Sequence, residues 1–267
     1  MTKATPTRRH VLATAATATL GAGLVTVLPF TARAASHMGE MAGDVFETDS
    51  GEITVHPVEH ASFVMETPAG TIYVDPVGDA AMYADFPTPD LILITHEHGD
   101  HFNAETLAAL AGGETRMVTN PAVYDMLPEE LRGRTEAIGN GEGTSAAGVQ
   151  IDAIPAYNTT PERLDFHPEG RDNGYVVTID GFRVYISGDT EDTPEMRALT
   201  DIDLAFVCMN LPFTMAAEAA ADAVAEFQPT AVYPYHYRGR DGGTQDPEEF
   251  ARLVGDAAEV KMGPWYG

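Results

Sequence analysis

From about Ile53 onward, short runs of β-branched and aromatic residues alternate with stretches of helical period. Residues 53–58, 61–66 and 71–74 predict successive strands, turned at Pro68-Ala69-Gly70. Residues 91–95 are a mainly aliphatic run of buried-strand length. Asn103 predicts the cap of a helix over 104–110, with Glu105 favourable to its dipole, and Asn120-Pro121 opens another. Residues 149–154, 175–179 and 182–187 predict strands again, the last two joined at the hairpin signal Asp180-Gly181. Thr193-Pro194 starts a short helix and Thr214 a long alanine-rich one to Phe227, with apolar strands over 202–209 and 232–235. Asp246-Pro247-Glu248-Glu249 is a capping box for the last helix. Strands followed by a helix, twice over and without a short repeat, fit two packed sheets covered by helices on both outer faces. No glycine-rich phosphate loop follows a strand, so a nucleotide cofactor lacks support.

Residues 1–34 predict a twin-arginine signal peptide. Arg8-Arg9 precedes a mildly apolar stretch over 11–30, and Ala32-Arg33-Ala34 supplies a cleavage pattern. The expectation is export to the extracellular space or the periplasm and cell envelope, with no stable membrane insertion of the mature chain. Residues 35–50, rich in Gly, Met and acid and without periodicity, predict a flexible lead-in with an idle His37. Residues 51–267 then form one domain.

Charge narrows the partners. The chain carries 15 basic and 41 acidic residues, a net −26 that becomes −30 once the four basic residues of 1–34 are removed. A surface that acidic repels phosphate backbones, so nucleic acid is excluded as a partner and a small-molecule substrate is expected. Nothing in the sequence sets an oligomeric state. Cys208, the one cysteine, lies in an apolar run and reads as a packed thiol rather than a nucleophile.

Candidate chemistry follows the strand at 91–95. Three of the nine histidines fall within six residues, in His96-Glu97-His98-Gly99-Asp100-His101. A strand end delivers side chains to a rim, and two imidazoles at i and i+2 followed by a carboxylate and a third imidazole are donors that zinc, iron, manganese or nickel accept. The neighbours Asp100 and His101 point different ways, so one loop can serve two metals.

This segment matches the H-x-H-x-D-H signature of the metallo-β-lactamase superfamily, and further matches run from His60 nearly to the end of the chain. His60-Ala61-Ser62-Phe63, Tyr73-Val74-Asp75-Pro76, Gly174-Tyr175-Val176, Ser187-Gly188-Asp189-Thr190 and Pro234-Tyr235-His236-Tyr237 resemble elements of the branch containing L-ascorbate-6-phosphate lactonases. The resemblance implies an α+β fold, the four-layer αββα sandwich, with the site at the sheet edges. It also implies one or two divalent metals, zinc foremost. His96 and His98 would serve the first metal, Asp100, His101 and His236 the second, and Asp189 both. His60 and Asp75 would orient ligands or touch substrate. The departure lies at the first metal's third ligand, where the family pattern has a histidine and this chain has Tyr157-Asn158. Either His167, in Phe166-His167-Pro168, takes its place or Asn158 donates its amide oxygen.

The implied function is metal-dependent hydrolysis of an ester, lactone or phosphoester bond. Asp100 would hold the nucleophilic water and pass on its proton, and Tyr157, Asn158 or Tyr237 would add a hydrogen bond to the developing oxyanion. The rival is a non-catalytic metal- or partner-binding protein on the same fold, for which the absent histidine speaks. Oxygen or sulfur redox chemistry at a di-iron site is a third reading.

Overall fold

The computed structural model describes residues 43–239 and 243–266. The signal motif of residues 1–34 and His37 lie outside the described residues. The first sheet holds β1 (Asp44–Thr48), β2 (Gly51–Glu59), β3 (Ser62–Thr67), β4 (Gly70–Val74), β5 (Leu91–Ile94), β6 (Arg116–Thr119) and β7 (Thr135–Ala137), in that spatial order. The second holds β8 (Gly143–Ala146), β9 (Val149–Ala156), β10 (Asp172–Ile179), β11 (Phe182–Ile186), β12 (Leu204–Cys208), β13 (Ala231–Tyr235) and β14 (Glu259–Val260), also in order. Each sheet pairs antiparallel through its first four strands and parallel through its last three connections.

Strand alternation explains the layers. Ile53, Val55, Phe63, Met65, Ile72, Val74, Leu91 and Leu93 sit at every second position and face the second sheet in one core. Their neighbours Val64, Tyr73, Ile92 and Ile94 face a separate core with Leu107 of α1 (Ala104–Leu110), Val123 of α2 (Pro121–Met126) and Leu131 of α3 (Glu129–Arg132). Between the sheets, Phe206 stacks on Phe63 at 4.0 Å and on Tyr233 at 5.1 Å. After α4 (Pro194–Arg197), α5 (Ala217–Phe227) buries Ala217, Ala220, Ala221, Val224 and Phe227, and α6 (Pro247–Val254) packs beside it. The result is the four-layer αββα sandwich that the resemblance implies. No helix among the described residues is long and apolar enough to cross a membrane.

The predicted caps are made. Asn103 accepts from the amides of Glu105 and Thr106, Asn120 from Val123, Thr193 from Met196 and Asp246 from Glu248. Asp180 and Gly181, both at positive φ, close the β10–β11 hairpin.

Two expectations are corrected. Of the lead-in expected over 35–50, residues 35–42 lie outside the described residues, and the rest holds a strand from Asp44 to Thr48, because Phe46 finds tertiary partners in the rings of Phe182 and Tyr233 and the Tyr233 hydroxyl donates to Asp44. The long helix starts at Ala217 rather than Thr214, whose hydroxyl is engaged with Asn210 across a tight turn.

Candidate metal centre

Most of the residues that converge follow the C-terminal ends of the parallel strands, and His60 and His167 join them from the β2–β3 and β9–β10 connections, where loops of both sheets meet at one rim. Asp75 ends β4, fully buried, and braces the neighbouring loop with its two oxygens. Oδ1 accepts the Thr95 amide at 2.8 Å, and Oδ2 accepts the Thr95 hydroxyl at 2.7 Å and His101 Nδ1 at 2.8 Å. The His101 proton is thereby held on Nδ1 and Nε2 is left for the site. Asn120, at the end of β6, donates its side-chain amide to the Thr95 carbonyl at 3.1 Å. The loop that follows Thr95 is therefore fixed from both neighbouring strands.

That loop sets His96 Nε2 3.1 Å from His98 Nδ1. The third imidazole beside them is His167, with ring centroids 5.1 Å from His96 and 4.9 Å from His98. It comes from the β9–β10 connection, whose Asn158 amide donates to the His167 carbonyl at 2.8 Å. Asp172 holds His167 Nδ1 at 3.1 Å, which turns Nε2 towards Asp189 Oδ2 at 3.4 Å.

Asp189 follows β11 in a turn that Gly188 makes possible, at φ 60 and with the Asn173 carbonyl 2.9 Å from where a Cβ would stand. Its Oδ1 lies 3.4 Å from His101 Nε2 and 3.2 Å from His236 Nε2. On the open side, His236 Nε2 is 3.5 Å and His60 Nε2 3.2 Å from Asp100 Oδ2. His60, Asp75 and His236 all take positive φ. Left-handed backbone at a non-glycine residue costs on the order of 1 kcal/mol and clusters at functional sites. Here it falls at three strand ends of one rim.

Within donor reach of one another stand three groups: His96, His98 and His167; His60, Asp100 and His236; His96, His101 and Asp189. His101 Nε2 and Asp189 Oδ1 are buried and face each other without a hydrogen bond. Buried polar atoms rarely go unpaired, and convergent unpaired donors are the arrangement a cation completes. The donor set fits one or two divalent metals.

Electrostatics agree with a site built around shared charge. Burial and the neighbouring imidazoles hold His96, His98 and His236 below the usual histidine range. Burial would do the same to His101 and His167. Asp189 with Asp75 in one case, and Asp172 with Asp189 in the other, instead raise them to about 9. Burial pushes against ionisation of Asp100 and Asp189 too, yet His60 and the other histidines keep both carboxyls below the usual range.

The structure therefore brings together His60, His96, His98, Asp100, His101, His167, Asp189 and His236, with Asp75 behind them. His60, expected in a supporting place, stands in the cluster itself, its ring 3.9 Å from that of His236. His101, expected beside Asp100 and His236, groups with His96 and Asp189. Tyr157 is not brought in: its hydroxyl donates to Glu195 at 3.0 Å. Asn158 braces instead, giving its side-chain N–H groups to the carbonyls of Arg163 at 2.9 Å and Phe213 at 2.6 Å. Tyr237 packs edge-on against Tyr266. Cys208 is buried, and burial pushes its thiol up to about 12, so it is inert.

Sequence reasoning missed several participants. Asp172 orients His167, Asn210 reaches both Asp189 and His236, and the Tyr266 hydroxyl sits 2.8 Å from His60 Nδ1. Glu191 ties the two loops together. It is almost fully buried and accepts from the Thr159 and Thr160 amides at 2.7 and 2.6 Å and from Arg163 Nη1 at 2.6 Å. None belongs to a local motif; only its distance from Asp189 along the chain marks Glu191.

The family model described as the beta-lactamase superfamily domain matches residues 54–236, most of the chain. This chain belongs to that superfamily. Among similar proteins, a UPF0173 metal-dependent hydrolase of Pyrococcus abyssi is 35% identical over 182 residues, covering 66% of this chain and 79% of the relative. Another from Thermococcus onnurineus is 38% identical over 176 residues, covering 64% and 77%. A crystal structure of a protein from Parabacteroides distasonis superposes with a TM-score of 0.75 at 40% identity, covering 84% of this chain and 99% of that one. Igni18, a metallo hydrolase from Ignicoccus hospitalis, shares the fold at a TM-score of 0.66 and 23% identity, covering 79% and 94%.

Proposed function

We propose that this chain is a metal-dependent hydrolase acting on an ester, lactone or phosphoester bond. The coarse part, a metal-dependent hydrolase of the beta-lactamase superfamily, rests on the family and on its UPF0173 relatives. The finer part rests on one observation: donor sets from both sheets meet at Asp189, which lies within 3.4 Å of His101, His167 and His236.

In this reading His96, His98 and His167 would hold one divalent cation, Asp100 and His236, with His101 whose ring lies 4.8 Å from that of His236, would hold a second, and Asp189 would serve both. Bound there, such cations supply an acidified water and a Lewis acid for the carbonyl or phosphoryl oxygen. The imidazole-rich set favours zinc over manganese, iron or nickel. Asp100, the most exposed carboxylate of the cluster and held by His60, accepts a hydrogen bond from the attacking water. Its low pKa makes it a poor keeper of that proton, which passes to the leaving group. Asp75 and Asp172 hold their histidines in one tautomer throughout. The absent family histidine, the ground for a binding-only reading, loses its force with His167 placed beside His96 and His98. Residues 1–34 support export of the folded enzyme by the twin-arginine route, with its metal loaded beforehand.

The test is turnover by the zinc-reconstituted protein on aryl esters, lactones and aryl phosphodiesters, against the metal-stripped protein and Asp189→Ala. Zinc-dependent turnover that Asp189→Ala abolishes supports the reading. Stoichiometric zinc without turnover on any of the three returns the binding-only protein.

A further inference from the structure

The β9–β10 connection delivers His167, and one guanidinium closes that connection on itself. Arg171 grips the buried Asp172 twice, Nε to Oδ1 at 2.6 Å and Nη2 to Oδ2 at 2.9 Å. Nη2 also donates to the Phe166 carbonyl at 2.9 Å. Phe166 stands immediately before His167 and Asp172 follows it within the same segment, so Arg171 holds that segment at both ends. A bidentate grip fixes the plane of a carboxylate. Oδ2 of Asp172 keeps a lone pair for His167 Nδ1, at 3.1 Å, and His167 Nε2 then faces Asp189.

The same guanidinium reaches the loop of the other sheet. Nη1 pairs with Glu97 Oε1 at 3.0 Å, and Glu97 stands between His96 and His98. Among the described residues Arg171 is the one partner of the Glu97 carboxylate, whose Oε2 is buried and unpaired. Nε, Nη1 and Nη2 are all engaged, so this guanidinium ties protein to protein rather than waiting for substrate. An exposed ion pair contributes little. Here Asp172 is fully buried, and the side chains of Arg171 and Glu97 are only 27% and 20% exposed. Donors of one cation must be held to about 0.5 Å. His96 and His98 come from the first sheet and His167 from the second, and Arg171 is the charged tie between the segments that carry them.

We propose that Arg171 is the positioning residue of the first cation site, joining Glu97 between His96 and His98 to Phe166 and Asp172 on either side of His167. The proposal rests on the two-cation reading above and adds the residue that sets the spacing of one donor set. The other set is tied differently. His236 N donates to the His60 carbonyl at 3.2 Å, and His60 Nε2 meets Asp100 Oδ2 directly. None of His60, Asp100 and His236 is a hydrogen-bond or ion-pair partner of Arg171 among the described residues. Removing Arg171 therefore weakens one cation and spares the other.

The experiment titrates the metal-free protein with zinc in competition with a chelating dye, for the wild type, Arg171→Ala, Arg171→Lys and Glu97→Gln. Arg171→Ala should weaken one of the two zinc equivalents by about 10- to 100-fold and leave the other within about threefold. Glu97→Gln should weaken the same equivalent, by about tenfold. Guanidinium ion added to Arg171→Ala at a concentration far below denaturing should strengthen that equivalent again, and ammonium ion should not. Arg171→Lys should recover only part of the loss, because one ammonium cannot grip Asp172 bidentately and reach Glu97 as well. A variant that merely folded poorly would lose both equivalents and gain nothing from guanidinium. Equal weakening of both equivalents, weakening of neither, or a loss that neither guanidinium nor Arg171→Lys restores in part overturns the role of Arg171 and leaves the metal centre. A wild type that binds fewer than two zinc ions overturns the two-cation reading and the proposal with it.

Discussion

The two sheets run the same course, antiparallel then parallel, but they deliver their site residues differently. In the first, a single loop after β5 carries His96, His98, Asp100 and His101, the turn after β2 adds only His60, and the neighbouring strand ends contribute braces, Asp75 and Asn120. In the second, each strand end gives one residue: Asp189 after β11, Asn210 after β12 and His236 after β13, with His167 arriving from the β9–β10 connection. Adjacent strands lie about 4.8 Å apart, so one side chain per strand end is enough to build a cluster. The first half concentrates its donors along the chain, and the second concentrates them only in space.

The sharpest way to break the comparison is Asp189→Ala, because this carboxylate lies against histidines of both halves. Loss of both metals and a fall in turnover on the order of a thousandfold are expected, read by mass spectrometry and steady-state kinetics. Loss confined to one metal would assign Asp189 to one half only.

That asymmetry decides what the sequence discloses. H-x-H-x-D-H is legible because its donors are consecutive and follow an aliphatic strand. Asp189 and His236 become legible only as parts of an ordered family pattern. His167 and Asn158 stand side by side in the structure, but eight residues separate them in the sequence, so their relation to the cluster had to come from packing. Asp172 turns His167 towards the cluster, while Asn158 gives its N–H groups to two carbonyls and keeps its Oδ1 buried and unpaired. Glu191 and Tyr266 were invisible because each acts through a partner distant in sequence, and Asp172 because no motif ties it to His167 five residues earlier. The strand at Asp44–Thr48 was missed because its apolar content is small until Phe182 and Tyr233 cover Phe46.

The supporting carboxylates sharpen the contrast at the next level. Asp75→Asn loses charge at a group that holds Thr95 twice and His101 once, whereas Asp172→Asn leaves Arg171 its Glu97 partner. Supporting groups of this kind are worth roughly 10- to 100-fold in metal affinity. Asp75→Asn should fall at the upper end and Asp172→Asn at the lower, in competition titrations with a chelating dye.

Glu191 tests how firmly the connection is tied. Burial alone would raise its carboxyl, but bonds from Thr159, Thr160 and Arg163 lower it from 4.5 to about 2. A depressed carboxylate stabilises the fold fully above pH 4.5, and that contribution is lost as pH falls towards 2. Glu191→Gln should cost about 3 kcal/mol at pH 7 in urea melts, with the gap to wild type narrowing at pH 3. An equal gap at both pH values would mean the charge does not carry the brace. The smallest effect is expected at Tyr157→Phe. With its hydroxyl committed to Glu195, turnover should change by less than about twofold.

The central claim is that His167 from the second half completes a metal site begun by His96 and His98 in the first. Metal per chain, by mass spectrometry on the wild type and on His167→Ala after zinc reconstitution and desalting, tests it most directly. Near two metals falling to near one is the predicted result. An unchanged count in His167→Ala, or no metal in the wild type, would contradict it.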